Sequence, residues 1–169
     1  LLCFAGFIIF RTGYLKPVTI ASGDQGPFVL VYRVHEGPYH EIAPVIDDVE
    51  QSFKQKGLPC PLAFGRYLHD PNTTPHDRLV SHGGCAFSNM SPEVSAVIEE
   101  KGFTIDQVPK QEYLVAHLEG SPSIGPMKVY PYVTEWLAKY GDQKEDTVIE
   151  LYQTTGEDSL HTRYLFKYK

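Results

Sequence analysis

Residues 31–57, VYRVHEGPYHEIAPVIDDVEQSFKQKG, and residues 115–141, VAHLEGSPSIGPMKVYPYVTEWLAKYG, present one order twice. Each has an apolar run, a Glu-Gly-containing turn, a Pro, and a long amphipathic segment closed by Gly. The offset from Glu36 to Glu119 is 83 residues. A chain built this way needs a fold that seats two copies of one small unit on a shared core, because a unit of this size buries too little apolar surface alone.

In the first copy, Phe28 to His35 alternates as a strand does and ends in the turn chemistry of HEGPY. Ile42, Val45, Ile46, Val49 and Phe53 then form a helical stripe, with Pro44 in the first turn and Gly57 beyond the end. PLAFGRYLH and DRLVSHGGCAF follow as strands around a polar loop. The second copy runs Tyr113 to Glu119, a helix from Pro126 to Tyr140, and strands DTVIELYQ and LHTRYLFKYK around the turn TTGEDS. Its stripe is Met127, Tyr130, Val133, Leu137 and Tyr140. Pro131, read as lying near the first turn, costs little there. SPEVSAVIEEKG reads as a linking helix with Ser91 as N-cap, Pro92 at the first position and Gly102 at the end. The expected fold is α+β: pseudo-duplicated strand-helix-strand-strand units forming a curved antiparallel eight-stranded sheet, with two long helices on one face. The other face, near the pseudo-twofold axis, is then the expected concavity. The division is residues 1–27 as membrane anchor and juxtamembrane segment and 28–169 as the folded domain, with copy one at 28–90, the linker helix at 91–102 and copy two at 103–169.

Fifteen basic against 21 acidic residues, with no basic stripe among the aromatics, argue against a nucleic-acid-binding body. His69, His76, His82 and Cys85 fit no standard zinc spacing, so no metal and no cofactor is expected, and HDPNTTPHD reads as a loop. Cys3, Cys60 and Cys85 are too few for a disulfide scaffold and contain no C-x-x-C pair, which points to a reducing compartment. LLCFAGFIIF reads as part of a membrane anchor, with a buried edge strand or a signal-peptide remnant as the alternatives, since ten residues fall short of the ~20 needed to span a bilayer. Arg11 and Lys16 behind it place the domain on the cytosolic side by the positive-inside rule. Two glycosylation sequons, at Asn72 and Asn89, point the other way.

Strand alternation puts Val148, Glu150 and Tyr152 on one face and Ile149 and Leu151, read as facing the helices, on the other. A carboxylate in that position either points to water or sits in a pocket, paired with a cation, protonated, or bonded to a tyrosine. Tyr164, Phe166 and Tyr168 make one face of the last strand aromatic. Aromatic walls around one carboxylate suit planar or cationic organic ligands, and suit an ordinary core equally well.

VHEGPYHEI, GRYLHDPNTTP, VAHLEGSPSIGPMKVYPYVTEWL and DTVIELYQ together resemble the GyrI-like domain, also called the AraC effector-binding or SHS2-type small-molecule-binding domain, from Phe28 to Lys169. The resemblance implies a ligand site built from a Glu on the penultimate strand and surrounding aromatics. Matching the IELY segment makes that Glu Glu150, with Tyr152, Tyr67 and Trp136 as walls. The ligand would be a small hydrophobic or cationic molecule, or a partner peptide. The apolar N-terminus ahead of such a domain is similar to the testis-expressed endoplasmic-reticulum-phagy receptor family, which implies an anchor in the endoplasmic reticulum and a domain in the cytosol.

Two other functions stay open on the same resemblance. Some GyrI-like members resemble hydrolases, in which Glu150 would work with Tyr152 or Tyr67 on an electrophilic substrate. The SOUL-type haem-binding proteins share the architecture, and His35, His40 or His117 would then have to stand beside an apolar face.

Overall fold

In a computed structural model of the chain, residues 14–155 and 159–169 are described. The strands are β1 (Thr19–Gln25), β2 (Phe28–Glu36), β3 (Leu62–Tyr67), β4 (Val80–Phe87), β5 (Thr104–Val108), β6 (Gln111–Glu119), β7 (Lys144–Thr155) and β8 (Ser159–Tyr168). The helices are α1 (Ala43–Lys54), α2 (Pro92–Lys101) and α3 (Gly125–Ala138). All eight strands join one antiparallel sheet in the order β1-β6-β8-β7-β3-β4-β2-β5. The α+β class, the eight strands and the two long helices on one face are as expected.

The repeat as read from the sequence supplies three strands per copy, and the fourth of each is exchanged. β1 precedes copy one but pairs with β6 of copy two; β5 opens copy two, ahead of its repeated segment, but pairs with β2 of copy one. The sheet therefore begins at Thr19, ahead of the boundary placed at residue 28.

β1 and β2 stand near opposite ends of the strand order, yet only Gly26 and Pro27 separate them. Three Cα steps cover at most ~11 Å. The sheet must curl until its ends meet. At the closure Gly26, at φ +91°, lies against the carbonyl of Pro109 in the equivalent β5–β6 link, and Lys110 pairs with Asp24 at 3.0 Å.

Curling gives the sheet two buried faces. The inner one packs Leu30, Phe64, Ile149, Leu151 and Leu165 against one another, with no helix residue among them. The outer one is covered by α1 and α2 over β2 and β4, through Val49, Phe53, Val94 and Ile98, and by α3 over β6 to β8, through Val129, Val133 and Leu137. Each such aliphatic side chain contributes ~1.5–3 kcal/mol of burial. The face assignment along β7 is thus the reverse of the expectation. Ile149 and Leu151 point into the curl, whereas Val148, Glu150 and Tyr152 share the face that carries the helices. The concavity expected opposite the helices exists, but it is filled by its own side chains.

Helix boundaries follow the capping signals closely. Ser91 Oγ accepts from the Val94 amide at 3.3 Å, and Gly102 takes the left-handed conformation at φ +64°. Of the stripe expected along α3, Met127 and Tyr140 are 69% and 67% exposed, Tyr140 lying beyond the helix's end at Ala138, and Val129 takes the buried place. Pro131 lies inside this helix rather than in its first turn, on the side where a missing hydrogen bond faces open space.

The expectation of unpaired thiols is corrected for two of the three. Cys60 and Cys85 form a disulfide, with Cα atoms 5.5 Å apart. Pairing of β3 with β4 puts Ala63 opposite Cys85, which brings Cys60, three residues earlier, alongside. Cys3 and residues 1–13, where the membrane anchor was expected to begin, lie outside the described residues, and no helix among those described is long and apolar enough to cross a membrane.

Candidate functional site

β3 and β7 meet at the middle of the sheet, and the two long helices flank that seam. The result is an open cleft of about 1520 Å³. Ile42 and Ile46 line one side from the start of α1; Tyr130, Pro131 and Thr134 line the other from α3. Tyr67, Val148, Glu150 and Tyr152 form the floor. Drug-sized sites run ~300–1,000 Å³, so this cleft has room for a bulky molecule.

Glu150 is 5% exposed and is the one buried carboxylate among the described residues. Tyr130 Oη donates to its Oε1 at 2.8 Å and Tyr152 Oη to its Oε2 at 3.0 Å. Since Tyr152 spends its proton on Glu150, Tyr67 Oη, 3.0 Å away, is the donor to Tyr152. Three hydroxyls thus converge in a chain on one carboxyl. Burial raises the Glu150 pKa to about 7, against the two tyrosine donors, which favour the anion. The same burial, with the Glu150 charge beside them, pushes the hydroxyls of Tyr67, Tyr130 and Tyr152 upward, so they remain donors at neutral pH.

Tyr39 extends the aromatic wall. Its ring stands edge-on to Tyr67 at 4.8 Å, while its hydroxyl accepts from the His69 amide at 2.9 Å and donates to the His69 carbonyl at 3.0 Å. Tyr39–Glu41 form a single 3₁₀ turn entering α1, and Tyr39 is also a wall of the cleft. The rim is acidic. Asp47, Glu50, Asp70, Glu135 and Asp146 line it against Lys144, which lies 3.9 Å from Asp70. Glu50 has its pKa raised, by partial burial and then by Asp47.

Of the four residues expected to bind ligand, Glu150, Tyr152 and Tyr67 come together here. Trp136 does not line the cleft; its ring lies tilted against that of Tyr140, 4.6 Å away, on another side of α3. Tyr130 was readable only as part of the core stripe, and a tyrosine among aliphatic stripe positions is the sequence signal for its second role. Asp47, Glu50 and Tyr39 carried no such signal. The haem alternative finds little support. His117 lies on the inner face against His161 at 3.2 Å, His35 closes a turn on the Pro38 carbonyl at 3.1 Å, and His40 reaches the cleft only at its rim, 82% exposed.

The family profile described as a GyrI-like small molecule binding domain matches residues 24–169. No curated protein sequence matches the chain. Among solved structures, the C-terminal domain of EcmrR is similar at a TM-score of 0.65 and 14% identity, over 90% of this chain and 98% of that one. SAV2435 bound to tetraphenylphosphonium is similar at 0.50 and 13%, over 88% and 94%. An integron cassette protein from the mobile metagenome of Vibrio cholerae is similar at 0.50 and 13%, over 90% and 97%. At these identities the likeness is one of fold.

Proposed function

This chain belongs to the GyrI-like family of small-molecule-binding domains, and from that premise we propose that its cleft binds a bulky lipophilic organic cation. The observation that carries the reading is a single buried carboxyl at the floor of a large, aromatic-walled cleft with an acidic rim. A cation entering there meets tyrosine faces, then a carboxylate already hydrogen-bonded by two hydroxyls, so little reorganisation is needed. Burial raises the Glu150 pKa to about 7, so the carboxyl is partly protonated at neutral pH, and the ligand's charge takes the place of the proton. That SAV2435 takes tetraphenylphosphonium in a similar fold makes this cation the natural probe.

Calorimetric titration of the full chain with tetraphenylphosphonium tests the reading. Glu150→Gln keeps the shape and removes the charge, and should weaken binding by ~1–3 kcal/mol, roughly 5- to 150-fold. Wild-type affinity should fall as pH drops below 7, where proton and cation compete, and the variant's should stay flat. Equal affinity of both proteins, or no binding at any pH, would remove Glu150 from the site. The hydrolytic alternative uses the same carboxyl as a general acid–base near its pKa. It requires turnover of an electrophilic substrate that Glu150→Gln abolishes, whereas a binding site returns its ligand unchanged.

The finer reading is a membrane-tethered domain of the endoplasmic-reticulum-phagy receptor kind, resting on the apolar run Leu1–Phe10. Arg11 and Lys16 support a cytosolic orientation, while the Cys60–Cys85 pairing favours an oxidising compartment. Loss of mass on enzymatic deglycosylation of the cell-derived protein would put the domain on the side away from the cytosol.

A further inference from the structure

Among the described residues, seven large hydrophobic side chains are exposed. Met127 is on α3 in the register of Pro131 and Thr134, and four others, Tyr14, Leu15, Tyr132 and Tyr140, lie just after the apolar N-terminal run or on and just beyond α3. They are joined rather than scattered. Lys128 Nζ donates to the backbone carbonyls of Tyr14 and Lys16 and stands 5.5 Å from the Tyr14 ring centroid, which straps this segment to α3. Lys128, Tyr132 and Trp136 follow at four-residue steps and so form one stripe along the helix; Trp136, half-buried at the edge of the core, sets its ring tilted against that of Tyr140. The stripe is separate from the side of α3 where Pro131, Thr134 and Ala138 line the cleft.

We propose that this face of α3 rests in the headgroup layer of a lipid bilayer. Three observations select lipid over another occupant. The chain that reaches the face at Tyr14 carries LLCFAGFIIF, the most apolar run of the sequence, three residues upstream. Tyr and Trp flanked by Lys is the composition of a membrane-interface belt, in which rings sit at headgroup level and ammonium groups reach toward water. The charges are balanced locally, Lys16 by Glu119 at 3.2 Å and Lys139 by Glu135 at 3.3 Å, which suits a zwitterionic surface better than a charged protein. A helix is ~10 Å across, so the cleft wall formed by α3 then stands about that far from the lipid. A lipophilic ligand concentrated in the bilayer would meet the cleft there.

The proposal rests on the tether reading for delivery to the membrane, and one experiment separates the two. Trp136 is the only tryptophan. The full chain is floated with phosphatidylcholine vesicles whose acyl chains are brominated either near the headgroup or near the terminal methyl. Flotation is expected, with Trp136 fluorescence quenched at least twofold, and more by the shallow bromines. Tyr132→Asp with Tyr140→Asp should restore most of the emission while leaving flotation intact, its fold checked by thermal melting. Flotation with Trp136 unquenched would keep the tether and overturn this face. Absence of flotation would overturn both. Dimers in vesicle-free solution that Tyr132→Asp dissolves, with Trp136 unquenched on vesicles, would assign the face to a second copy and overturn the lipid proposal; if the double variant does not fold, the wild-type quench alone decides.

Discussion

The two copies share a backbone and divide their side chains differently. At the 83-residue offset, Ile42 at the entry to α1 corresponds to Gly125 at the start of α3, and Gly83 of β4 to Phe166 of β8. In copy one the strand is bare and the helix brings the volume: a Cβ at Gly83 would stand 2.8 Å from Ile46 and 3.2 Å from Ile42. In copy two the strand brings the volume and the helix is bare. A Cβ at Gly125 would stand 2.5 Å from the Tyr164 hydroxyl, and Tyr164 and Phe166 are fully buried beneath α3. Each interface reaches native packing density by a different route. The same offset relates Tyr67 to Glu150, so the two equivalent floor positions became a hydroxyl donor and the carboxyl it serves through Tyr152. It also relates Cys60 to Gln143. Copy one closes that corner with the disulfide, and copy two with paired backbone hydrogen bonds between Gln143 and Lys169 at 2.9 and 3.0 Å. Duplication fixes where the cleft is, and divergence gives it one charge.

The comparison breaks most severely if copy one is given copy two's strand residue. Gly83→Phe drives a ring into α1 and should cost more than ~3 kcal/mol, read as a fall in melting temperature. Ile42→Gly added to it should recover part of that loss. Additive or worse behaviour of the pair would show that the two interfaces are not exchangeable.

Removing the disulfide by Cys60→Ala with Cys85→Ala should cost about 3 kcal/mol in denaturant titration, since the bridge closes a loop of sequence separation 25. A change below about 1 kcal/mol would mean that copy one, like copy two, holds this corner by its backbone.

The pH dependence isolates the floor charge. Glu150 keeps its proton to about 7 in the folded chain against an ordinary value of 4.5, so the folded state binds the extra proton between those values. Stability from this group falls as pH rises through that window, by on the order of 3 kcal/mol, and levels off above it. His82 tilts the opposite way. Burial, then Arg66, lowers it from 6.5 to about 4, so its contribution falls as pH drops through that range. The difference between wild type and Glu150→Gln, measured by melting at successive pH values, therefore reports Glu150 alone. A difference that does not change with pH would mean the carboxyl titrates normally.

The smallest effect belongs to the partner position. Tyr67→Phe removes the outermost donor of the hydroxyl chain without touching Glu150, and should weaken cation binding by ~0.5–1.5 kcal/mol. A loss as large as that of Glu150→Gln would make Tyr67 a direct ligand contact.

Much of this architecture was legible in residue order. The repeat, the cap at Ser91 and Gly102, the helical stripes and the alternation grouping Glu150 with Val148 and Tyr152 all arise from local chemistry, with periods of 3.6 and 2 that any short window displays. β1 and β5 were harder to see. TIASGDQ and TIDQV are short and half polar, as edge strands are, and each pairs with the other copy rather than with its neighbour in sequence.

What local pattern could not decide was the assignment of faces. Alternation says that Ile149 and Leu151 oppose Glu150, but both sheet faces here are buried, one by helices and one by the curl, so apolarity marked neither as the helix side. The curl follows from the two-residue links at Gly26–Pro27 and Pro109–Lys110 acting on strands at opposite ends of the sheet, a constraint that exists only once strand order is known. The Cys60–Cys85 contact and the meeting of Tyr130 with Glu150 depend likewise on strand register and on how α3 lies over it. Sequence by itself thus determined the parts and the identity of the carboxyl. Tertiary structure alone decided that it would be buried, which hydroxyls would reach it and that the cleft would lie between the helices, because each depends on distances between residues far apart in the chain.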